Sequence, residues 1–564
     1  MSASQSSAVV ECVPNFSEGR DPAIIEQIAA AIRAVPGVAL LDVDPGRATN
    51  RTVMTLVGAP EPVLEAAFQG IKAAAALIDM SKHSGAHPRM GATDVCPFVP
   101  VGGITMAECA ELARRLGQRV GGELGIPVYL YEAAASRPDR QNLADIRAGE
   151  YEALPQKLQD AAWAPDFGPA AFVARSGATV IGARPFLIAF NVNLNTKNTR
   201  KANKIGAIVR EKGIARKGPD GKALRDGQGD LIRDPGMFPA VKAIGWYIEE
   251  YGRCQVSINF TDHTVSPPHL VVDAIRKVAD EEGVVVTGCE LVGLIPLDAM
   301  LAAGRHYLRR QGGSGGATEA ELSEVAVQSL GLRDLGPFDP AQRIVERRIR
   351  RDGPLVSMSG RVFVDTLSSS APAPGGGSVA ALCGALGAAL AAMVGNLTVG
   401  KDGYQARWPA QDQMAVDAQA LKEAFLTDID RDTAAFDALM AAFALPSKSD
   451  AEKAARIAAI KRGRREAIAV PLDVLERCGA VLDAVEEALL GNENARSDAG
   501  VGALCAATCA EGAWYNVSIN LRDVRDPVYK AEIRARADGA IAQVRLRAAA
   551  IGERVRSELG GGAA

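Results

Sequence analysis

Five histidines, His83, His87, His263, His269 and His306, are the only imidazoles in the chain, and two of them share the segment KHSGAHPRMGATDVCPF. Four positions separate His83 from His87, as in a helical metal pair, but Gly85 lies between them and Pro88 follows. The segment therefore reads as a loop running into a strand, and a metal site is not expected. An imidazole in a glycine-punctuated loop, beside Arg89 and near Asp94, suits general acid–base work because its pKa lies near neutrality. The plainer alternative is a structural loop histidine. The second candidate is the acidic run LTDIDRDTAAF. Asp428 and Asp432 are four apart and share a helix face, whereas Asp430 points away from both. Like charges on one face raise each other's pKa, more so when buried, and a carboxylic acid still protonated near neutrality can donate to a departing nitrogen. Here the plainer alternative is a solvated helix face.

Weaker signals surround these two. APAPGGGSVAAL is a proline–glycine turn feeding a helix N-terminus, with backbone N–H groups suited to an anion or a carbonyl. Arg496 and Asp498, with Asn516 and Asn520, could line a polar pocket between helices. From 197 to 233, 11 basic residues face 4 acidic ones. Such a stripe could guide an anionic tail, although a charge run is more often a solvated face.

The elements that must position these groups change character along the chain. Over the first 300 residues strand-like and helix-like runs alternate. Strands are expected at 38–44, 51–58, 94–101 and 126–131, and helices at 60–78 and 105–116. The pattern restarts at 186–194 and continues with strands at 255–261 and 283–292 around a helix at 268–280. This predicts two α+β sandwich subdomains, each with helices on a largely antiparallel sheet, over 1–185 and 186–349. The 312–316 run GGSGG reads as a flexible loop. After a charged linker at 350–358, alanine-rich 3.6-period segments take over at 378–399, 411–444, 450–489, 498–520 and 527–557, an all-α bundle spanning 359–564.

Bulk properties narrow the function classes. A 564-residue chain, 48% hydrophobic and 23% charged, is a folded multidomain protein. Its net charge of −4 gives no global attraction for nucleic acid or an anionic membrane. Nine scattered cysteines with no CxxC pair point to a reducing, cytoplasmic setting, and the N-terminus has no secretory pattern. The apolar run at 379–399 is long enough to cross a bilayer. Its Ala and Gly content and Asn396 make it a soluble helix packed closely through small residues.

Several motifs then carry a resemblance. VECVPNFSEGRD, LLDVD with TNRTV, HPRMGATDVCPF, and RAGEYEALPQKL with WAPDFGP closely resemble glutamate formiminotransferase. APAPGGGSVAAL, RSDAGVGA and YNVSINLRD resemble formiminotetrahydrofolate cyclodeaminase. Together they cover nearly the whole chain in the order of the bifunctional formiminotransferase-cyclodeaminase family. The resemblance implies transfer of a formimino group from N-formimino-L-glutamate to tetrahydrofolate, then closure to 5,10-methenyltetrahydrofolate with loss of ammonia. It places the transferase acid–base on His87 and the cyclodeaminase acid on Asp432. It places folate contacts on Gly168, Pro169, Ala170, Ala171, Phe172, Val173, Ala174, Arg175, Ser176 and Gly177, and on Gly236, Met237 and Phe238. Phe172 offers a stacking face and the small residues allow close approach of a flat pterin. Asn50 and Arg51 suit the substrate carboxylates, through a bidentate guanidinium. Tetrahydrofolate is the co-substrate, (poly)glutamylated folate a partner, and no metal or redox cofactor is implied, since both steps are addition and elimination. A homo-oligomer, an octamer in this family, is expected. Family members commonly carry Glu before the histidine; here it is Ala86. That difference keeps two alternatives open, a formyl-glutamate donor and a folate-binding scaffold with an inactive site.

Overall fold

The computed structural model describes residues 8–47, 49–85, 87–349 and 353–560. Ala86 and residues 350–352 of the expected linker lie outside them. The chain forms two compact units, one of Met1–Ala299 with Leu330–Ile349, the other of Met300–Ser329 with Arg350–Ala564. The first is mixed α/β and the second helical.

In the first unit, seven strands make one sheet: β1 (Val9–Cys12), β2 (Asn15–Phe16), β3 (Val38–Gly46), β4 (Arg51–Gly58), β5 (Thr93–Gly102), β6 (Val128–Glu132) and β7 (Thr179–Ala183). Their order is β1-β4-β2-β5-β7-β6, with β3 on β4. Pairing is antiparallel except at one side, where β7 runs parallel to both β5 and β6. Helices Pro22–Arg33, Pro60–Leu77 and Met106–Leu124 bury Ile28, Ile32, Phe68 and Leu116 against Cys12, Cys96 and Phe98 of the sheet. β5 is buried at every position from Thr93 to Val99, so both of its faces are covered.

A second, antiparallel sheet runs in the order Val241–Ile248, Arg253–Phe260, Ile188–Leu194, Val286–Val292. Alternation sends Ile188, Phe190, Val192 and Leu194 to one face and Ala189, Asn191 and Asn193 to the other. The polar face is buried too. Gln255 donates to Asn193 Oδ1 (2.8 Å) and Glu290 (2.9 Å), which satisfies amides that would otherwise destabilise the interior. Strands Val9–Cys12, Thr179–Ala183 and Val241–Ile248 and helix Thr199–Val209 have no counterpart among the sequence expectations.

The helical unit has five long helices, Gly376–Thr398, Trp408–Ala444, Asp450–Ala488, Arg496–Asn520 and Pro527–Gly560, close to the five periodic segments. Gly376–Thr398 packs against the next three. Its small residues set the spacing: a Cβ on Gly384 would lie 2.5 Å from the Phe425 ring, and one on Gly395 2.8 Å from the Gln411 carbonyl. This is the close-packed helix expected of the 379–399 run. The GGSGG segment departs from expectation. Ser314 is 7% exposed, the Gly315 N–H and Arg309 reach Asp412, and Asn396 and Gln419 donate to the Gly316 carbonyl. Side chains of the bundle satisfy its backbone, so glycine serves close approach here, not flexibility.

Candidate active sites

β4, β2 and β5 lie side by side, and each contributes one polar residue near the same end. Arg51 opens β4, Asn15 sits opposite Val53 and Val95, and Asp94 follows the first residue of β5. Arg51 Nε donates to Asn15 Oδ1 (3.1 Å) and Nη1 to Asp94 Oδ2 (2.7 Å). Asp94 is fully buried and also receives Arg147 and the Met90 N–H (3.0 Å). His87 stands against this cluster. Its Nδ1 lies 2.8 Å from Arg51 Nη1 and 2.6 Å from the Pro88 carbonyl. Nδ1 can accept from Arg51 in one tautomer or donate to Pro88 in the other. The second leaves Nε2 with a free lone pair. Burial, then the Arg51 charge, pushes the His87 pKa down to about 4, so the ring is neutral at pH 7. Burial likewise lowers Arg51 to about 10, against the opposing pull of Asp94.

His83 has a different station. Its Nε2 lies 2.9 Å from the Asn50 carbonyl and its Nδ1 accepts from Arg89 Nε (3.3 Å), so both ring nitrogens are engaged in holding the loop. Arg89 itself is clamped by Glu150 and Glu152. Asn50 adopts φ +48°, its Oδ1 accepts from Gly19 N–H (3.0 Å) and its amide donates to the Ser84 carbonyl (3.0 Å). Asn50 thus shapes the loop, while Arg51 faces the open space. Gly85 fits because a Cβ there would lie 2.2 Å from the Thr49 carbonyl.

That open space is a cavity of about 590 Å³ lined from both sheets of the first unit. His87, Arg51, Asn15 and Arg147 line it, as do Glu11, Tyr131, Arg184, Lys242 and Asn259. Glu11 is 2% exposed, and burial pushes its pKa up to about 8. Asn15, Arg147 and Glu11 lie inside motifs quoted above (VECVPNF and RAGEYEAL), yet nothing in residue type or spacing singled them out. Arg184 and Lys242 had no signal, because neither β7, which ends just before Arg184, nor the strand Val241–Ile248, which carries Lys242, was anticipated.

The segment from Gly168 to Gly177 is not part of that lining. It packs on the histidine loop: Met80 N–H donates to the Arg175 carbonyl (2.9 Å), and Gly177, at φ +66°, pairs with Gly91. Phe172 is 37% exposed with its ring 5.4 Å from that of Tyr151. Gly236, Met237 and Phe238 hydrogen-bond along the end of the Thr199–Val209 helix, Met237 N–H to the Ile208 carbonyl (2.9 Å), and line no part of the cavity.

In the helical unit the three aspartates separate as their spacing implies. Asp430 accepts the Leu355 and Val356 N–H groups (2.8 and 3.0 Å), an anchor for the preceding turn. Asp428 is 2% exposed and paired with Arg431 (3.0 Å) and Arg477. Asp432 is half-buried against the start of the Gly376–Thr398 helix, and its pKa is raised, first by burial and then by Asp428. The like-charge argument is therefore secondary here, because two guanidiniums neutralise Asp428. Asn516 is at the same turn, its amide donating to Gly512 (2.7 Å). Arg496 instead pairs with Glu558 (3.4 Å), and Asn520 donates to the Ala467 carbonyl (2.7 Å).

Comparison with known proteins covers both sites. The Formiminotransferase domain, N-terminal subdomain, matches residues 9–184, the Formiminotransferase domain 189–350, and Formiminotransferase-cyclodeaminase 359–539. Formimidoyltransferase-cyclodeaminase of Sus scrofa is 44% identical over 553 residues, 97% of this chain and 99% of that protein. Glutamate formimidoyltransferase of Streptococcus pyogenes serotype M1 is 42% identical over 53% of this chain and 93% of its own length. Methenyltetrahydrofolate cyclohydrolase of Methylorubrum extorquens is 40% identical over 194 residues, 34% of this chain and 91% of its own length.

Proposed function

The chain belongs to the formimidoyltransferase-cyclodeaminase family, and from that membership we propose which residues carry each of its two reactions. It transfers the formimino group of N-formimino-L-glutamate to tetrahydrofolate, its co-substrate, and closes 5-formiminotetrahydrofolate to 5,10-methenyltetrahydrofolate with release of ammonia. We assign the transfer to residues 1–185 and 186–349, read as two α+β sandwich subdomains, and the closure to 359–564.

The observation that carries the transferase assignment is one neutral imidazole held beside a guanidinium in a polar cavity. Folate N5 attacks the amidine carbon, and His87 Nε2 takes the N5 proton. As the carbon–nitrogen bond to glutamate breaks, the same nitrogen returns the proton to the leaving amine. Arg51 and Arg147 supply cations for the donor's carboxylates. Binding those anions removes part of the repulsion that holds His87 near 4, and so raises its basicity when substrate is present. Exposed Phe172, within the Gly168–Gly177 segment, is the proposed aromatic contact for folate, and exposed Met237, between Gly236 and Phe238, a further apolar contact.

In the helical unit Asp432 acts first as an acid. N10 attacks the amidine carbon, Asp432 protonates the imino nitrogen, and its carboxylate then takes the N10 proton and delivers it, so that nitrogen departs as ammonia. His87→Ala is expected to abolish transfer yet leave closure of supplied 5-formiminotetrahydrofolate; Asp432→Asn should do the reverse. A mutant that keeps its assigned step removes that assignment.

A second reading has an observation of its own, the match of the bundle to a methenyltetrahydrofolate cyclohydrolase. Water in place of ammonia at the same carbon would open the product to 10-formyltetrahydrofolate. Loss of methenyl absorbance faster than with Asp432→Asn would establish it. The chain is also proposed to act in the cytoplasm, consistent with nine free cysteines, and as a homo-oligomer. Leu386, Met393 and Leu397 on one bundle helix, with Val501 and Leu504 on its packed neighbour, leave apolar surface for pairing helical units.

A further inference from the structure

The Gly376–Thr398 helix starts without a cap of its own. The first N–H groups of any helix have no intrahelical acceptor, and its N-cap, Gly375, has no side chain to offer one. The acceptor comes from another helix: the Asp432 carboxylate stands at this end, and the Ser378 backbone N–H favours its ionised form. The approach is close. A Cβ on Gly377 would lie 2.2 Å from Asp432 Oδ1 and 2.4 Å from its Cγ and Oδ2. Ser378 is fully buried, and its hydroxyl lies 2.9 Å from the Ile429 carbonyl and 3.3 Å from the Thr433 hydroxyl. The hydroxyl ties the turn to the helix carrying Asp432, and after the backbone N–H it is the lesser of the two Ser378 groups that favour the carboxylate.

On its own helix Asp428 bears on Asp432, but Arg431 and the Arg477 of the Asp450–Ala488 helix neutralise it, and Arg431 also reaches Asp473 (3.3 Å) and Glu466 (3.6 Å). From the Gly376–Thr398 helix come Gly377 and Ser378, and from Arg496–Asn520 the neutral Asn516 amide, close to Gly376. Burial favours the acid form, and the helix N-terminus favours the carboxylate. A proton donor that must also take a proton back needs both.

We propose that the turn from Gly376 to Ser378 is the positioning element of the cyclisation acid, in which Gly377 keeps the carboxylate's place open and the Ser378 N–H steadies its ionised form. This rests on the assignment of Asp432 as the proton donor. Gly377→Ala must displace the carboxylate by about 1 Å, which at a reacting centre costs on the order of 10²-fold in kcat. KM for 5-formiminotetrahydrofolate should change far less, and formimino transfer, which belongs to the other unit, should be retained. Ser378→Pro deletes the N–H at a first-turn position where proline is tolerated. Without that donor Asp432 holds its proton to higher pH, so the alkaline limb of the closure rate should move upward, and further than in Ser378→Ala, which keeps the N–H. Circular dichroism and the melting temperature verify that each variant is folded; if Ser378→Pro is not, Gly377→Ala decides. Full closure activity in Gly377→Ala, or the same limb in Ser378→Pro and Ser378→Ala, overturns the inference. Asp432→Asn separates the two failures: closure surviving in that variant removes the acid assignment itself.

Discussion

The imidazole of the first unit and the carboxyl of the second are displaced in opposite directions by one cause. Burial disfavours whichever form is charged, so it lowers His87 to about 4 and raises Asp432. His87 therefore stands neutral at pH 7, and Asp432 keeps its proton to higher pH than an ordinary carboxyl; a neutral imidazole is a base and a protonated carboxyl an acid. The neighbours act differently on the two. Arg51 and Arg147 oppose a proton on His87, whereas at Asp432 the Ser378 N–H favours proton loss and Asp428, a lesser influence, opposes it. The lesson is that two steps on one folate begin with opposite proton traffic, and that desolvation alone sets much of that difference. The first step must take a proton from N5, and the second must give one to the departing nitrogen.

The comparison breaks most plainly if either group is dispensable. Positioned acid–base groups contribute about 10²–10⁴-fold, so His87→Ala in transfer and Asp432→Asn in closure should each lose that much in kcat. Single-step assays with supplied intermediate measure them separately. Next in size is Asp94→Asn. Asp94 is fully buried between Arg51 and Arg147, and removing its charge leaves two guanidiniums without their anion. Breaking a buried pair in this way costs about 3–5 kcal/mol. Calorimetry should show the first unit's transition fall while that of the helical unit stays. A common fall in both would mean that the units do not melt independently.

How much of this was legible beforehand follows from the range of the interactions. The five bundle helices were visible because a helix writes its burial into a 3.6-residue period within one segment, as in Asp450–Ala488. The spacing of Asp428, Asp430 and Asp432 likewise foretold which one would turn away. β5 was found, but not its parallel pairing to β7, since register depends on residues more than 80 positions apart. His87 could not be told from His83 by chemistry; the distinction is that His83 spends both nitrogens on the loop, which only the folded loop reveals. Side-chain chemistry paired Asn50 with Arg51 as a substrate grip, while the fold gives Asn50 to the loop and Arg51 to the cavity. Glycines at 312–316 signalled freedom in the sequence and serve close approach in the structure.

A smaller effect sharpens the account of the base. His87 must be neutral to accept a proton, so kcat/KM for transfer should persist as pH falls and drop only through about 4, not 6.5. Burial is the largest cause of that displacement and Arg51 the next, with Arg147 adding to it and Asp94 and the Pro88 carbonyl opposing. Arg51→Gln removes one cation and should move the acid limb upward, toward 6.5, while also weakening donor binding. An unmoved limb would assign it to a group other than His87.

A last effect concerns Glu11, in the same cavity, and is one of stability that grows with pH. Its folded pKa is raised to about 8 by burial, with Arg184 opposing and Glu346 adding to the rise. Below the unfolded value of about 4.3 the group is neutral in both states and costs nothing. Between that value and 8 the unfolded chain is ionised while the folded one keeps its proton, so stability falls as pH rises; above 8 the full penalty of a buried charge is present. Glu11→Gln removes the titrating group at nearly equal volume. The variant should melt with the native protein near pH 4 and increasingly above it as the pH approaches 9. A stability difference flat across that range would mean that Glu11 is held ionised in the cavity, and that burial does not govern this carboxyl as it governs Asp432.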